Sequence, residues 1–274
     1  LTPATATFNY YVVHPFDVVI NEIMADPDPV VATLPDYEYI ELYNKTASTI
    51  NLGGWQYTAG TTTKILPSIV LPAHGFVTLT STTAAPLFAA SANVIGVVSF
   101  PGLTNTGVVL MLRDPQGQLI STVSYSDSWY QDAVKKDGGY SLEQIDPLNP
   151  CAGSANWRAS NNANGGTPGL PNSIYASNAD HAAPRVSRVS VITADTIQVY
   201  FNEPLDSASM VNPAVYSIDN SIGAPTQAVP VGPDFMSVRL ALATPLQTAI
   251  IYTITVNNAI TDCVGNPIGT ANTA

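Results

Sequence analysis

Short runs of β-branched and aromatic residues recur along this chain, and Gly, Pro, Asn or Asp ends each run. Runs of this length and composition predict β-strands joined by turns. The predicted strands are Val18–Met24, Tyr37–Tyr43, Gly75–Thr80, Val108–Arg113 and Gln118–Tyr125, followed by Arg185–Ile192, Thr196–Phe201, Ala214–Ile218, Ser237–Leu242 and Ile250–Val256. No convincing amphipathic helix interrupts them. The pattern therefore predicts an all-β chain.

The length and one loop-forming segment predict two β-sandwich domains. A chain of 274 residues can bury two cores, and residues 161–173 (NNANGGTPGLPNS) are too rich in Gly, Pro and Asn for regular structure. We predict a first sandwich over 17–175, a linker over 176–183 and a second, smaller sandwich over 184–274. Residues 1–16 are interpreted as a linker or the end of a preceding domain, because Ala4–Val13 has the composition of a strand without partners.

The charge balance excludes nucleic acid as a partner. Residues 1–176 contain six basic and 13 acidic side chains, residues 177–274 contain three and seven, and the net charge is −11. Neither half offers the basic surface that a phosphate backbone requires. No uninterrupted apolar run of about 18 residues occurs, so no membrane span is predicted.

The two cysteines, Cys151 and Cys263, lie in different predicted domains and outside any Cys or Cys/His spacing typical of zinc sites. They allow two readings. An oxidising compartment would favour a disulfide between them, and the alternative is two separately buried thiols.

Catalytic motifs are absent from the sequence. The chain has three histidines, no G-x-S-x-G, no H-E-x-x-H and no phosphate-binding glycine loop, so we assign no catalytic residue and predict no enzyme. Carboxylate chemistry is the better enzymatic alternative, because five carboxylates fall within twenty residues: Glu22, Asp26, Asp28, Glu38 and Glu41. Glu38 and Glu41 have opposite strand parity, which places them on opposite faces unless a bulge intervenes.

Two further residue groups are candidate binding sites. Glu22, Asp26 and Asp28 are candidate calcium ligands, with turn-capping aspartates as the alternative; no other cofactor is predicted. The segment Asp262–Asn266 is interpreted as a turn rather than a second metal loop. Trp129 and Tyr130, in a polar loop, are candidate carbohydrate contacts, with burial in the core as the alternative.

Several motifs resemble known families. Val19–Met24 (VINEIM), Glu38–Asn44 (EYIELYN), Ile50–Trp55 (INLGGW), Leu71–Gly75 (LPAHG) and Gly166–Gly169 (GTPG) occur in an order that resembles the lamin-tail family, an immunoglobulin-like (Ig-like) β-sandwich. The segments between Trp129 and Trp157 are similar to its bacterial branch, so nuclear localisation is not implied. Phe201–Asp206 (FNEPLD), Tyr216–Asp219 (YSID) and Thr261–Asn266 (TDCVGN) resemble bacterial Ig-like modules.

The resemblance implies a non-catalytic structural or interaction module within a larger secreted or cell-surface bacterial protein. Its partners would be the neighbouring domains of the same parent chain. The alternative is a ligand-binding module that targets a carbohydrate or another surface protein and accompanies a hydrolase or nuclease elsewhere in that chain.

Overall fold

The computed structural model describes residues 11–88 and 93–274. The chain forms two compact units: Leu1–Gln144 with Arg158–Ile174, and Ile145–Trp157 with Tyr175–Ala274. Residues 4–10 of the predicted strand Ala4–Val13 lie outside the described residues, and Tyr11, Val12 and Val13 are not in a strand.

Strands dominate both units, and the helices are a single turn each. The strands are β1 Val18–Met24, β2 Tyr39–Asn44, β3 Ile50–Asn51, β4 Gln56–Ala59, β5 Thr62–Ile65, β6 Val70–Leu71, β7 Phe76–Ser81, β8 Val94–Val97, β9 Val109–Arg113, β10 Leu119–Ser124, β11 Leu142–Gln144, β12 Trp157–Ala159, β13 Val186–Thr193, β14 Thr196–Phe201, β15 Tyr216–Ile218, β16 Gln227–Val231, β17 Ser237–Ala241 and β18 Ile254–Val256. The helices are α1 Ser207–Met210 and the 3₁₀ turns Ala85–Leu87, Asp127–Tyr130, Lys135–Asp137, Gly153–Asn156 and Pro213–Val215.

The first twelve strands build a β-sandwich. One sheet has the order β12-β11-β1-β2-β7-β8, the other has the order β10-β9-β4-β5, and β3 pairs with β6. In the six-stranded sheet β7 and β8 run parallel, whereas β1 runs antiparallel to β11 and β2, and β2 antiparallel to β7. The prediction of an all-β fold is confirmed.

The central strand β1 is buried on both faces, although the sheet is mainly antiparallel and such sheets often leave one face in water. Val18, Ile20 and Ile23 belong to the apolar core. A bulge between Ile20 and Glu22 shifts the register, so that Glu22 lies directly opposite Glu41 on β2. The polar face that carries Glu22 is covered by residues 160–174, as the hydrogen bonds below show.

The second unit has its own core. Strands β13-β14-β17-β16 form a four-stranded antiparallel sheet, and β15 pairs with β18. Alternate residues of β14 and β17 point inward, so that Val199 and Val238 are fully buried. The other fully buried apolar residues of this core are Leu205, Met210, Leu240, Val256 and Ile260.

In the described part of the chain, no helix has the length and apolar character needed to cross a bilayer.

Candidate functional site

Three glutamates form a buried row across neighbouring strands. Glu41 on β2 and Glu143 on β11 are both register partners of Glu22 on β1. Residues directly opposite one another in an antiparallel pair share a face of the sheet, so the three carboxylates lie side by side. All three have a relative exposure of 0%. We call Glu22, Glu41 and Glu143 the carboxylate row.

Glu22, at the centre of the row, receives hydrogen bonds on both carboxylate oxygens. Its Oε1 accepts from the Tyr39 hydroxyl at 2.7 Å, the Ser141 hydroxyl at 2.6 Å and the Thr167 backbone N–H at 2.8 Å. The Thr167 hydroxyl lies 3.3 Å from Glu22 Oε2 and 3.1 Å from Glu143 Oε1. The central carboxylate is therefore fully engaged by the protein itself.

The two outer carboxylates are held in the same way. Glu41 accepts from the Asn21 amide at 3.2 Å, the Thr78 hydroxyl at 3.4 Å and the Gly169 backbone N–H. Glu143 Oε2 accepts from the Ser173 hydroxyl at 2.8 Å and the Ile174 backbone N–H at 3.2 Å. The donors from Thr167, Gly169, Ser173 and Ile174 all come from one segment, which closes over the row.

Asn172 strengthens this closure. Its side-chain Nδ2 donates to the backbone oxygens of Asn21 at 2.9 Å and Gln144 at 2.7 Å, and Asn21 donates back to Asn172 Oδ1 at 2.8 Å. The segment is thus joined to β1 and β11 by side-chain as well as backbone groups.

Burial shifts the protonation of the row. Burial, and after it the nearby charge of Glu143, raise the pKa of Glu22 to about 7. The pKa of Glu41 is raised well above its ordinary value, first by burial and then by the charge of Glu22. A carboxyl that titrates near neutral pH is a frequent mark of acid–base catalysis. Here the oxygens are enclosed and already hydrogen-bonded, so the geometry favours a structural role.

Glu38 lies outside the row and lines an open groove of about 360 Å³ with Asp26 and Asn105. Asn105 donates to Asp26 Oδ2 at 2.6 Å, and the Leu103 backbone N–H donates to Glu38 Oε2 at 3.1 Å. Burial raises the pKa of Glu38, which is half-buried, and the charge of Asp26 adds to the shift. Two of the five carboxylates singled out in the sequence, Asp26 and Glu38, therefore line this open groove.

The three predicted calcium ligands are not brought together. Glu22 is sealed in the carboxylate row, Asp26 lines the groove and is hydrogen-bonded to Asn105, and Asp28 is exposed. The physical reason is the strand geometry: Glu22 belongs to β1, whereas Asp26 and Asp28 follow its end.

The aromatic pair does not form a flat binding platform. Trp129 and Tyr130 lie in the 3₁₀ turn Asp127–Tyr130, which is capped by the Ser126 side chain. Tyr130 is only 3% exposed and donates its hydroxyl to the Tyr140 carbonyl at 3.1 Å. The ring of Tyr130 is therefore unavailable for stacking on a sugar, which corrects its interpretation as a ligand contact; Trp129 is partly exposed.

Cys151 and Cys263 are joined by a disulfide with a Cα–Cα distance of 6.1 Å. Both cysteines belong to the second compact unit, because Ile145–Trp157 packs with it. The bond is therefore internal to that unit rather than a link between the two predicted domains.

A second acidic group lies beside this disulfide. Asp180, Glu203 and Asp262 each present a carboxylate oxygen within 4.8 Å of the others. Asp262 is 3% exposed, and the other two are partly exposed. Asp262 Oδ1 accepts hydrogen bonds from the backbone N–H groups of Val264 and Asn266. The segment Asp262–Asn266 therefore forms a turn of the predicted type.

Sequence reasoning missed Glu143, Thr167 and the pairing of Asp180 with Asp262. Glu143 lies in a strand of only three residues, too short for any periodicity to show. One signal was available: the Gly166–Gly169 motif. A Cβ on Gly166 would lie 2.2 Å from the Tyr39 hydroxyl and 2.6 Å from Glu22 Oε1, so this position has room only for glycine.

Two family models match the chain. The model of the lamin tail domain matches residues 14–127, and the model of a bacterial Ig-like domain matches residues 176–274. No curated protein sequence matches the chain.

Two crystal structures of a bacterial S-layer protein, SbsC, resemble part of the chain. The N-terminal part of SbsC aligns with 22% identity and a TM-score of 0.29, over 32% of this chain and 22% of that one. The structure titled rSbsC(31-844) aligns with 24% identity and a TM-score of 0.30, over 34% of this chain and 13% of that one. The aligned part of this chain thus spans less than a quarter of the length of either S-layer chain.

Proposed function

Since the chain combines a lamin tail domain with a bacterial Ig-like domain, we propose that it is a non-catalytic structural or interaction module of a larger secreted or cell-surface protein. Its partners are the neighbouring domains of the same parent chain. The observation that carries this proposal is the closure of the carboxylate row.

The row is the strongest acid–base candidate in the first unit, and its geometry supports structure rather than turnover. General acid–base catalysis requires a carboxyl within hydrogen-bond reach of a substrate atom. Glu22, Glu41 and Glu143 have no exposed surface, and protein donors occupy their oxygens. The hydrogen bonds of the row fasten residues 167–174 to the sheet, which completes the first unit.

The disulfide supports export. A bond between Cys151 and Cys263 persists in an oxidising compartment and is reduced in most bacterial cytosols. A secreted or cell-surface location accounts for it directly.

The alternative, a carbohydrate- or surface-targeting module, has less support. Its candidate contact depended on two adjacent exposed rings, and Tyr130 is buried. Trp129 alone offers a much smaller stacking surface.

Location and redox state test the proposal in the producing bacterium. Intact cells and culture medium are treated with an amine-reactive biotin reagent that does not cross membranes, and thiols are then alkylated before and after reduction. We expect labelled parent protein whose Cys151 and Cys263 are alkylated only after reduction. Unlabelled protein with two free thiols inside the cell would overturn the assignment to the surface.

Catalysis is tested on the purified chain with glycoside, phosphodiester and ester substrates. We expect no turnover above that of Glu38→Gln, which removes one of the carboxylates that line the groove. Turnover that is lost in Glu38→Gln or Glu22→Gln would contradict a non-catalytic role.

A further inference from the structure

Four oxygen-bearing side chains of the second unit converge on one small cavity. Asp180, Glu203 and Asp262 line it together with Asn149, and its volume is about 10 Å³. A space of this size accommodates a single water molecule or ion. In the described part of the chain, none of the three carboxylates forms an ion pair with a lysine or arginine.

Asn149 provides an observation independent of the acidic residues. Its Nδ2 donates to the Asn178 carbonyl at 2.7 Å, which fixes the orientation of the amide. The residue is 4% exposed, and its Oδ1 is buried with no hydrogen-bond partner among the described residues. A buried acceptor without a donor is destabilising, and here it belongs to a residue that lines a cavity of carboxylates. The unpartnered Asn149 oxygen and the three carboxylates thus line one cavity with oxygen atoms.

We propose that this cavity is a calcium site, with Asn149, Asp180, Glu203 and Asp262 as its protein ligands. All four offer oxygen, the ligand that hard divalent cations select. Zinc does not fit, because the only neighbouring sulfurs are joined in the disulfide and no histidine lines the cavity. Calcium suits the site better than magnesium, because ligands carried on loops tolerate its flexible coordination, and water can complete the shell on the partly exposed side of Asp180 and Glu203.

The orientation of Asp262 supports this assignment. The Asn266 side chain donates to its Oδ2 at 2.8 Å, and two backbone N–H groups hold its Oδ1. Asn266 also donates to the Asp180 carbonyl at 3.2 Å, which connects two of the ligand-bearing segments. Such outer hydrogen bonds fix a ligating carboxylate before the ion arrives.

The site joins separate stretches of the second unit. Asn149 lies in the stretch Ile145–Trp157, Asp180 follows residue 175, Glu203 follows β14 and Asp262 follows β18. The disulfide between Cys151 and Cys263 connects two of these same stretches, and both cysteines line the cavity. Calcium would therefore tighten the region that the covalent bond already crosslinks.

Binding is tested on the whole chain after chelator treatment, by isothermal titration with calcium chloride and by thermal unfolding. We expect one calcium per chain and a rise of roughly 5 °C in the Tm of the second unit at saturating calcium. Glu203→Gln and Asp180→Asn preserve side-chain size and remove one ligand charge, so each should weaken calcium binding by at least about tenfold. Asp234→Asn, an exposed residue of the same unit outside the cavity, is the control for loss of one negative charge.

Two results would overturn the proposal. Absence of binding up to about 10 mM calcium, beyond the range of extracellular calcium modules, would leave water as the occupant of the cavity. Equal weakening in Asp234→Asn and Glu203→Gln would show that calcium responds to net charge rather than to these ligands. Far-UV circular dichroism of each variant without calcium verifies that the variants are folded.

Discussion

Glu22 and Glu143 face each other across β1 and β11 without exposure to water, and the hydroxyl of Thr167 bridges their carboxylates. Two negative charges on directly paired residues of neighbouring strands repel each other strongly in a medium of low polarity. A proton on Glu22 Oε2 can be donated to Thr167 Oγ1, whose own hydrogen then points to Glu143. One proton is thereby sufficient to satisfy both carboxylates.

The stability of the first unit should fall as the pH rises through the titration range of Glu22. Its pKa is about 7 in the folded chain, against a reference value of 4.5. The folded state therefore holds the proton more tightly, and the stabilisation is complete below about pH 4.5 and is lost by about pH 7. We expect the contribution to be on the order of 3 kcal/mol. Urea unfolding across this pH range measures it.

Glu22→Gln isolates this contribution. Glutamine accepts the same hydrogen bonds on its oxygen and can donate to Thr167 Oγ1, so the variant should fold and show a flatter dependence of stability on pH. An unchanged slope would mean that other groups cause the pH dependence.

Removal of the bridging hydroxyl should destabilise the first unit at every pH. In Thr167→Val the backbone N–H still binds Glu22, but Glu143 loses a hydroxyl donor and protonated Glu22 loses its acceptor. We expect a loss of about 1–3 kcal/mol in the free energy of unfolding. Thr62→Val, on the exposed edge strand β5, is the matched control and should change stability by less than about 0.5 kcal/mol.

A methyl group at position 166 should disrupt the closure of the row. In Gly166→Ala the new Cβ would overlap the Tyr39 hydroxyl and Glu22 Oε1, both fully buried. We expect at least about 2 kcal/mol of destabilisation, measured by calorimetry. At Gly102 a Cβ would have only an ordinary contact, 3.8 Å from Glu38, so Gly102→Ala should be close to neutral. Equal effects at the two positions would refute the steric argument.

Loss of the disulfide should weaken the second unit selectively. The bond closes a loop with a sequence separation of 112, for which chain entropy alone predicts a loss of about 4–5 kcal/mol. In Cys151→Ala/Cys263→Ala we expect the calorimetric transition of the second unit to move to lower temperature. Reductant should reproduce this shift in the natural chain and have no effect on the double variant.

Much of the fold was predictable because local pattern and tertiary structure agree. The strand Val18–Met24 was predicted with both bounds correct, and so was Thr196–Phe201. In β2 the apolar side chains of Ile40 and Leu42 alternate with Tyr39 and Glu41, and both Ile40 and Leu42 are fully buried in the apolar core. These positions follow from the two-residue period of a strand, which sequence displays directly.

The site was not predictable to the same degree. Glu22 and Glu41 fall within one stretch of twenty residues, but the bulge that sets them opposite each other lies at Asn21, whose side chain bonds to Glu41 and Asn172. The hydrogen bond between Asn21 and Asn172 spans 151 residues. The alternation of apolar and polar residues along one strand does not show which distant loop will pack against that strand.

The chain leaves the first unit at Ile145, joins the second, and returns at Arg158. The second unit is therefore discontinuous in sequence, although its family match begins only at residue 176. A protease cut within the 161–173 segment would leave Cys151 and Asn149 on one fragment and Cys263 and Asp262 on the other, and the disulfide would still hold the two fragments together. Residues 176–274 alone would lack one cysteine of the disulfide and one of the four proposed calcium ligands, Asn149.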